Sequence, residues 1–280
     1  MIADYHMHTE RSHEAIGTVE EYCKVAQERG IQEIAFTNHL NFGRVSKTSM
    51  ISIPEQYIAS IDVKKIPEYC DEIEDARKKF KVKIRLGFEI DYFREHVSMI
   101  RKFLDDYPVD FVLGSCHFVD GYPVSSKFYT KTLFEGKGEN EMLAIYEKYF
   151  KLLKEAVESK LFDVMAHPDV VNKFAGIYMK IPFESYENMV REVVSSMVKN
   201  GVGIELNTSG YYSEIADSSP SLGFLKVCKK MGLKIITIGS DSHKPDDLGR
   251  GLDRGIEKLK SVGYDNICIF DKRIPSFVRI

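Results

Sequence analysis

No run in the sequence approaches the roughly 18 apolar residues that a membrane-spanning helix needs, which excludes a hydrophobic span. A basic stretch followed by an apolar one is also missing at the start, so a cytoplasmic protein is expected. Cysteine is scarce. Cys23, Cys70, Cys116, Cys228 and Cys268 are odd in number, scattered and never spaced Cys-x-x-Cys, which fits free thiols in a reducing compartment. There is no excess of positive charge: 39 lysines and arginines face 42 acids, for a formal net charge of -3, and no basic block stands out. That argues against a duplex-binding footprint, so no nucleic-acid or membrane partner is expected. After the first strand Gly17 is solitary, and without a Gly-x-Gly-x-x-Gly turn an open dinucleotide-binding sheet is disfavoured. Internal repeats, low-complexity segments and linkers are lacking too, so residues 1–280 are read as one domain of ordinary globular composition.

What is present begins with Asp4-Tyr5-His6-Met7-His8-Thr9-Glu10-Arg11-Ser12-His13, which holds three of the eight histidines. Alternation along a strand puts Asp4, His6 and His8 on one face. Two buried imidazoles need partners for a donor and an acceptor each, and a metal ion is one way to satisfy them. Downstream, Thr18-Val19-Glu20-Glu21 has the form of a capping box, Val19, Tyr22, Cys23 and Ala26 make an apolar stripe, and Gly30 can end the helix. A strand is expected over 33–37, a polar irregular loop over 40–67, and a helix from Pro67 carrying Tyr69, Ile73, Ala76 and Phe80. A third strand runs through Val82, Ile84 and Leu86. A helix with Val97, Ile100 and Leu104 on one side then precedes a fourth strand over 111–117. A second long loop, 118–138, leads into a helix bearing Leu143, Tyr146, Phe150 and Leu153. Strands are expected over 163–168, 202–207, 234–240 and 266–270, with helices around 186–198 and 252–261. This alternation implies parallel strands with crossover helices, and seven or eight such units favour a closed barrel over an open doubly wound sheet.

The candidate ligands share one location. His6, His8 and His13 lie at or after strand one, His39 after strand two, Glu89 at the end of strand three and His117 at the end of strand four. His167 ends strand five, and Asp241 with His243 follows strand seven. A barrel keeps its active site at this carboxyl mouth. His96 falls on a predicted helix and is expected to be a solvent-facing bystander. Imidazoles with two carboxylates suit zinc, iron or manganese, and so many ligands exceed the needs of one ion, so two to three divalent transition metals are expected. Glu89 is the natural bridge between ions about 3.5 to 4 Å apart. Lys173 and Arg11 are candidates for holding a substrate phosphate, and Asn207 with Glu205 can face the barrel interior.

These segments closely resemble the motifs of the polymerase and histidinol phosphatase (PHP) superfamily. Within it the likeness is strongest to the histidinol-phosphatase branch. Gly87-Phe88-Glu89-Ile90-Asp91-Tyr92, Gly114-Ser115-Cys116-His117-Phe118 and Ala166-His167-Pro168-Asp169 carry it, with Glu205-Leu206-Asn207-Thr208-Ser209-Gly210 and Gly239-Ser240-Asp241-Ser242-His243. The resemblance implies a distorted TIM-like barrel of seven strand-helix units and three metals. It assigns His6, His8, Glu89 and Asp241 to the first ion, His13, His39 and His243 to the second, and Glu89, His117 and His167 to the third. Members of the branch often carry an arginine after the Asn-Thr-Ser-Gly segment, where this chain has Tyr211-Tyr212. They also often have a tryptophan after the fourth-strand His-Phe. This sequence has none, and Tyr122 is the candidate to stand in for it.

The reaction expected is metal-dependent hydrolysis of a phosphate monoester, L-histidinol phosphate by the resemblance, which would place the protein in histidine biosynthesis. Divalent ions lower the pKa of water from about 15.7 toward about 7, which supplies the nucleophile. Asp241 is the candidate to position that water and handle its proton, and His243 to protonate the leaving alkoxide. A different small phosphate ester is an alternative substrate. A phosphodiesterase or nuclease is another reading, which the lack of a basic stripe weighs against. A non-catalytic relic of the barrel would be expected to have lost ligands.

Overall fold

The structure is a computed structural model that describes residues 2–42 and 60–280. Strands and helices alternate through β1 (Ala3–Asp4), α1 (Val19–Glu28), β2 (Glu33–Leu40), α2 (Ile66–Lys79), β3 (Lys83–Asp91), α3 (Val97–Asp106) and β4 (Phe111–Ser115). A short hairpin, β5 (Phe118–Val119) and β6 (Tyr122–Pro123), leads to α4 (Lys127–Phe134) and α5 (Glu139–Glu158). The alternation resumes with β7 (Val164–Met165), α6 (Asn172–Tyr178), α7 (Phe183–Asn200), β8 (Gly203–Asn207), α8 (Leu222–Lys230), β9 (Ile236–Gly239) and α9 (Leu252–Val262). The chain finishes in an antiparallel hairpin, β10 (Asn266–Asp271) and β11 (Ile274–Arg279).

Seven strands pair in parallel in the order β1-β2-β3-β4-β7-β8-β9. The first and last of them meet: Tyr5 donates its N–H to the Ile238 carbonyl at 2.9 Å, Asp241 donates to His6 at 2.8 Å, and Met7 bridges Ser242. The result is the distorted TIM-like barrel of seven units that the strand-helix rhythm implies, nearly closed, with helices packed around it. No helix among the described residues is long and apolar enough to cross a membrane.

Local signals explain most elements. Thr18 accepts the Glu21 N–H at 3.2 Å while Glu21 accepts the Thr18 N–H at 2.7 Å, closing the capping box of α1. On α2 the buried row is Ile66, Tyr69, Ile73 and Ala76. On α3 the expected row of Val97, Ile100 and Leu104 faces the core, Ile100 fully buried and the other two partly, and Phe103 joins it by packing its ring against Phe88 at 5.2 Å. Residues 118–138 are not an irregular loop: they contain β5, β6 and α4. Two-residue strands and an eight-residue helix carry too few apolar repeats to show in the sequence. Most of the expected loop over 40–67 lies outside the described residues, and a 3-10 turn at Val63–Lys65 introduces α2.

The expected last strand is half of the terminal hairpin, which seals the amino-terminal end of the barrel. Phe270 packs on Phe111 with centroids 5.0 Å apart and gives its N–H to Tyr5 Oη at 2.7 Å. Tyr5 in turn donates to the buried Glu33 at 2.6 Å. Arg85 reaches Glu33 at 2.8 Å and Asp271 at 2.9 Å, and Arg273 pairs with Asp163 at 3.0 Å. With that end plugged by rings and charge pairs, the carboxyl mouth is the end left open.

Candidate metal centre

Alternation from β1 onward buries Asp4, His6 and His8 on one side of the chain. Asp4 is used up below the mouth, accepting from the Ser240 and Gly249 N–H groups, each at 2.9 Å. His6 and His8 reach the mouth itself. There Glu89, 1% exposed at the end of β3, presents its two oxygens to different imidazoles. Oε2 lies 3.0 Å from His6 Nε2, 3.4 Å from His8 Nε2 and 3.2 Å from His39 Nδ1. Oε1 lies 3.0 Å from His167 Nε2 and 3.5 Å from His117 Nε2. Asp241 Oδ1 joins the first set, 3.4 Å from His6 Nε2 and 3.3 Å from His8 Nε2. His167 (φ 26°) and Asp241 (φ 53°) both hold left-handed backbone, costly for residues with a Cβ and retained where the surroundings impose it.

The ring protons decide whether this set fits cations. His6 Nδ1 is 2.7 Å from Glu205 Oε1, His117 Nδ1 is 2.9 Å from Asp91 Oδ1, and His243 Nδ1 is 3.0 Å from the Asp241 carbonyl. These partners only accept, so each Nδ1 carries its hydrogen and, in the neutral ring, Nε2 is a lone pair. His6 and His8 Nε2 stand 3.0 Å apart and His117 and His167 Nε2 3.3 Å apart, with ionised oxygens beside them. Lone pairs packed against carboxylates repel unless a cation lies among them, and this donor set is one that divalent transition metals take. The buried Nδ1 atoms of His8 and His167 have no hydrogen-bond partner among the described residues, so the polar contacts of these two rings are at the mouth.

Despite its burial, His6 is held above the ordinary imidazole range by Glu205, Asp241 and Glu89, so an ion bound beside it would displace a proton, whereas His8 is already without one. Burial, with His39 and His243 alongside, pushes the His8 imidazole down to about 3, leaving it neutral. Burial alone would raise Glu89 and Asp241, but His39 and His6 beside the first and His6 and His8 beside the second hold both well below the usual carboxylate range. Burial would also lower His117, yet Asp91 reverses this and holds it up to about 9, so an ion bound there displaces a proton. Glu205 ties separate segments together by also accepting the His167 N–H at 3.0 Å and the Asn207 amide at 3.2 Å. Gly239 leaves room for this, since a Cβ there would lie 2.4 Å from both Glu205 Oε1 and His6 Cβ.

The PHP domain family model matches residues 4–209, from before His6 to beyond Asn207. The chain belongs to the PHP domain family. Among its PHP relatives, a probable histidinol-phosphatase of Deinococcus radiodurans is 26% identical over 266 residues, covering 94% of each chain. A histidinol-phosphatase of Lactococcus lactis is 25% identical over 273 residues, covering 95% of this chain and 93% of that one. The crystal structure of histidinol phosphate phosphatase from L. lactis, complexed with zinc, L-histidinol and phosphate, matches with a TM-score of 0.79 over 98% of both chains. At 22% identity that likeness is one of fold.

Of the ligands expected from the PHP resemblance, His6, His8, His39, Glu89, His117, His167, Asp241 and His243 converge at the mouth, and His13 does not. Ser12 and Ala15 are buried and joined by an N–H to carbonyl bond of 3.0 Å, which leaves His13 and Glu14 in the middle of a turn. His13 points to solvent. Glu14 turns inward, with Oε1 3.3 Å from His39 Nε2 and 3.6 Å from His243 Nε2. A turn has no side-chain period, so the sequence could not tell which of the two neighbours faces the ions. Arg11 is a second correction: it pairs with Glu72 and, at 3.3 Å, with Glu68 on α2, so its charge is neutralised away from the mouth.

Lys173 on α6 and Asn207 at the end of β8 do line the mouth cavity, of about 290 Å³, together with Ser209, Tyr129, Glu89 and Asp241. Lys173 has no carboxylate in ion-pair range among the described residues. Tyr122 is not part of this lining, whereas Tyr129 is. Tyr211 and Tyr212 lie under the guanidinium groups of Arg254 and Arg250, at 3.9 and 3.6 Å, and so fasten their loop toward α9. His96 sits half-buried in the turn before α3 rather than facing solvent, its ring 5.3 Å from Phe93, and it is not part of the mouth lining. Asp91, which holds His117 Nδ1, shares a face with Glu89 by alternation along β3, a pattern legible in the sequence.

Proposed function

We propose that this protein is a metal-dependent phosphomonoesterase that hydrolyses L-histidinol phosphate to L-histidinol and phosphate. The observation that carries the reading is Glu89 set between two groups of imidazoles, with oxygens facing both. Relatives that match nearly the whole chain are histidinol-phosphatases, which supports the substrate. His6, His8, Glu89 and Asp241 would hold one ion, Glu89, His117 and His167 another, and His39 with His243 would contribute to a third position. Bound divalent ions supply Lewis acidity toward phosphoryl oxygens and bring the pKa of water near neutrality.

The protein's own groups do the rest. Asp241 Oδ2 accepts from Asn207 Nδ2 at 3.2 Å and Ser209 Oγ at 3.3 Å, which orients the carboxylate at the cavity edge to hold the attacking water and take its proton. His243 has Nδ1 on the Asp241 carbonyl and Nε2 toward Glu14, so protonating the leaving alkoxide would break one of those contacts; we assign it to holding. Lys173 supplies the cation for the substrate phosphate that no arginine provides after Gly210. All five cysteines are unpaired, which supports work in a reducing compartment such as the cytoplasm.

The test is kcat/KM for L-histidinol phosphate beside 4-nitrophenyl phosphate and single-stranded DNA, on protein loaded with zinc or manganese. A preference of at least about ten-fold for histidinol phosphate, worth about 1.4 kcal/mol, is expected. Equal values for the two monoesters would make it a broad phosphatase, and faster cleavage of DNA would make it a nuclease.

A further inference from the structure

We propose that Lys127 and Glu214 latch two walls of the mouth cavity together, and that this ion pair limits how large a phosphate monoester the cavity accepts. The inference rests on the phosphomonoesterase reading and concerns its selectivity. One wall is the segment after β4, which contributes Pro123, Ser126 and Tyr129 to the lining. The other is the segment after β8, which contributes Ser209, Gly210 and Ile215. Lys127 follows Ser126 directly, and Glu214 directly precedes Ile215. Their contact, Lys127 Nζ to Glu214 Oε1 at 2.8 Å, therefore joins the two walls at the edge of the cavity.

The wall that carries Glu214 is fixed. Gly210 packs so closely against it that a Cβ there would lie 2.2 Å from the Asp217 carbonyl oxygen and 2.8 Å from the Ile215 side chain. Lys258 pins the same loop from α9, donating to Asp217 at 2.6 Å and to Ser218 Oγ at 2.8 Å. The opposite wall is anchored at its two ends, where Val119, Val124, Leu133 and Phe134 are buried. Between those anchors the start of α4 stands clear of the core, with Lys127 exposed and the Phe128 side chain more so.

That start is also a poorly stabilised helix end. Ser126 makes no side-chain cap bond, no acid lies in the first turn, and Lys127 sets a positive charge at the positive end of the helix dipole. Glu214 supplies the missing negative charge from across the cavity edge. An exposed pair of this kind shifts an equilibrium by about five-fold at most. The latch thus favours a closed rim and still opens easily enough for substrate to enter and product to leave. A short leaving alcohol fits beneath the closed rim in a cavity of about 290 Å³, whereas a long one has to hold the rim open.

The experiment measures kcat/KM for phenyl phosphate and for biphenylyl phosphate on metal-loaded protein, because the two leaving groups are close in acidity and differ in length. The wild type should favour the phenyl ester. Lys127→Ala and Glu214→Ala should each cut that preference by about two- to five-fold, through a rise in the value for the long ester alone. The phenyl value and the metal content should stay at the wild-type level. Exchanging the pair, Lys127→Glu together with Glu214→Lys, should restore the preference. A preference unchanged in the single variants, or an exchanged pair no more selective than they are, would overturn the latch. Protein that takes up metal yet hydrolyses neither ester would overturn the phosphomonoesterase reading and the latch with it.

Discussion

Glu205 lies outside the lining of the mouth cavity, yet it decides how two ligand segments meet. Its oxygens take the His6 ring proton at 2.7 Å and the His167 N–H at 3.0 Å, so it sets both the tautomer of one ligand and the backbone of another. Glu205→Gln would turn one acceptor into a donor and leave either His6 Nδ1 or the His167 N–H without its partner. Changing such supporting groups costs about 10- to 100-fold in metal affinity or activity. That is the loss expected here, read by competitive metal titration, with the far-ultraviolet circular dichroism unchanged. His96→Ala serves as the comparison and should alter neither quantity, because its ring meets Phe93 rather than the mouth.

Among the elements, the terminal hairpin and the mouth sit at opposite ends of the barrel and should fail independently. Phe270 is 2% exposed and packs on Phe111 and Tyr5, so Phe270→Ala opens a cavity in the floor. A buried phenylalanine reduced to alanine costs about 3–5 kcal/mol, which for a chain of this size lowers Tm by roughly 10 °C. Calorimetry should show that drop while metal content per folded molecule stays at the wild-type value. A variant that lost metal as well would mean that the floor and the mouth are coupled through the strands.

At the scale of the whole molecule, the ions should act as a late cross-link of the ring. The mouth draws ligands from the ends of β2 and β3 and from the segments after β1, β4, β7 and β9, so ions bound there would join strands distant in sequence. Binding only to the folded state at about 1,000 times Kd contributes about 4 kcal/mol. Exhaustive chelation should accordingly lower Tm by roughly 10 °C, and adding back zinc or manganese should restore it. If chelated and loaded protein melted together, the ions would be adding nothing to the closure of the barrel.

Much of this was decided locally and so could be read from the chain. The capping box at Thr18, the alternation that buries His6 and His8 together, and the recurrence of histidines at strand ends depend on neighbours only a few residues apart. They were enough to imply the barrel, the metals and the bridging place of Glu89. What tertiary structure alone decided lies where periodicity stops. In the turn between Ser12 and Ala15, burial of its two ends by β2 and the segment after β9 sends Glu14 inward and His13 out. Arg11 is turned away because Glu68 and Glu72, some sixty residues later, stand beside it on α2. The final strand becomes a plug because Tyr5, Glu33 and Arg85 gather at the other end of the ring to receive it. These outcomes depend on contacts between segments far apart in sequence, and no spacing within one segment encodes them.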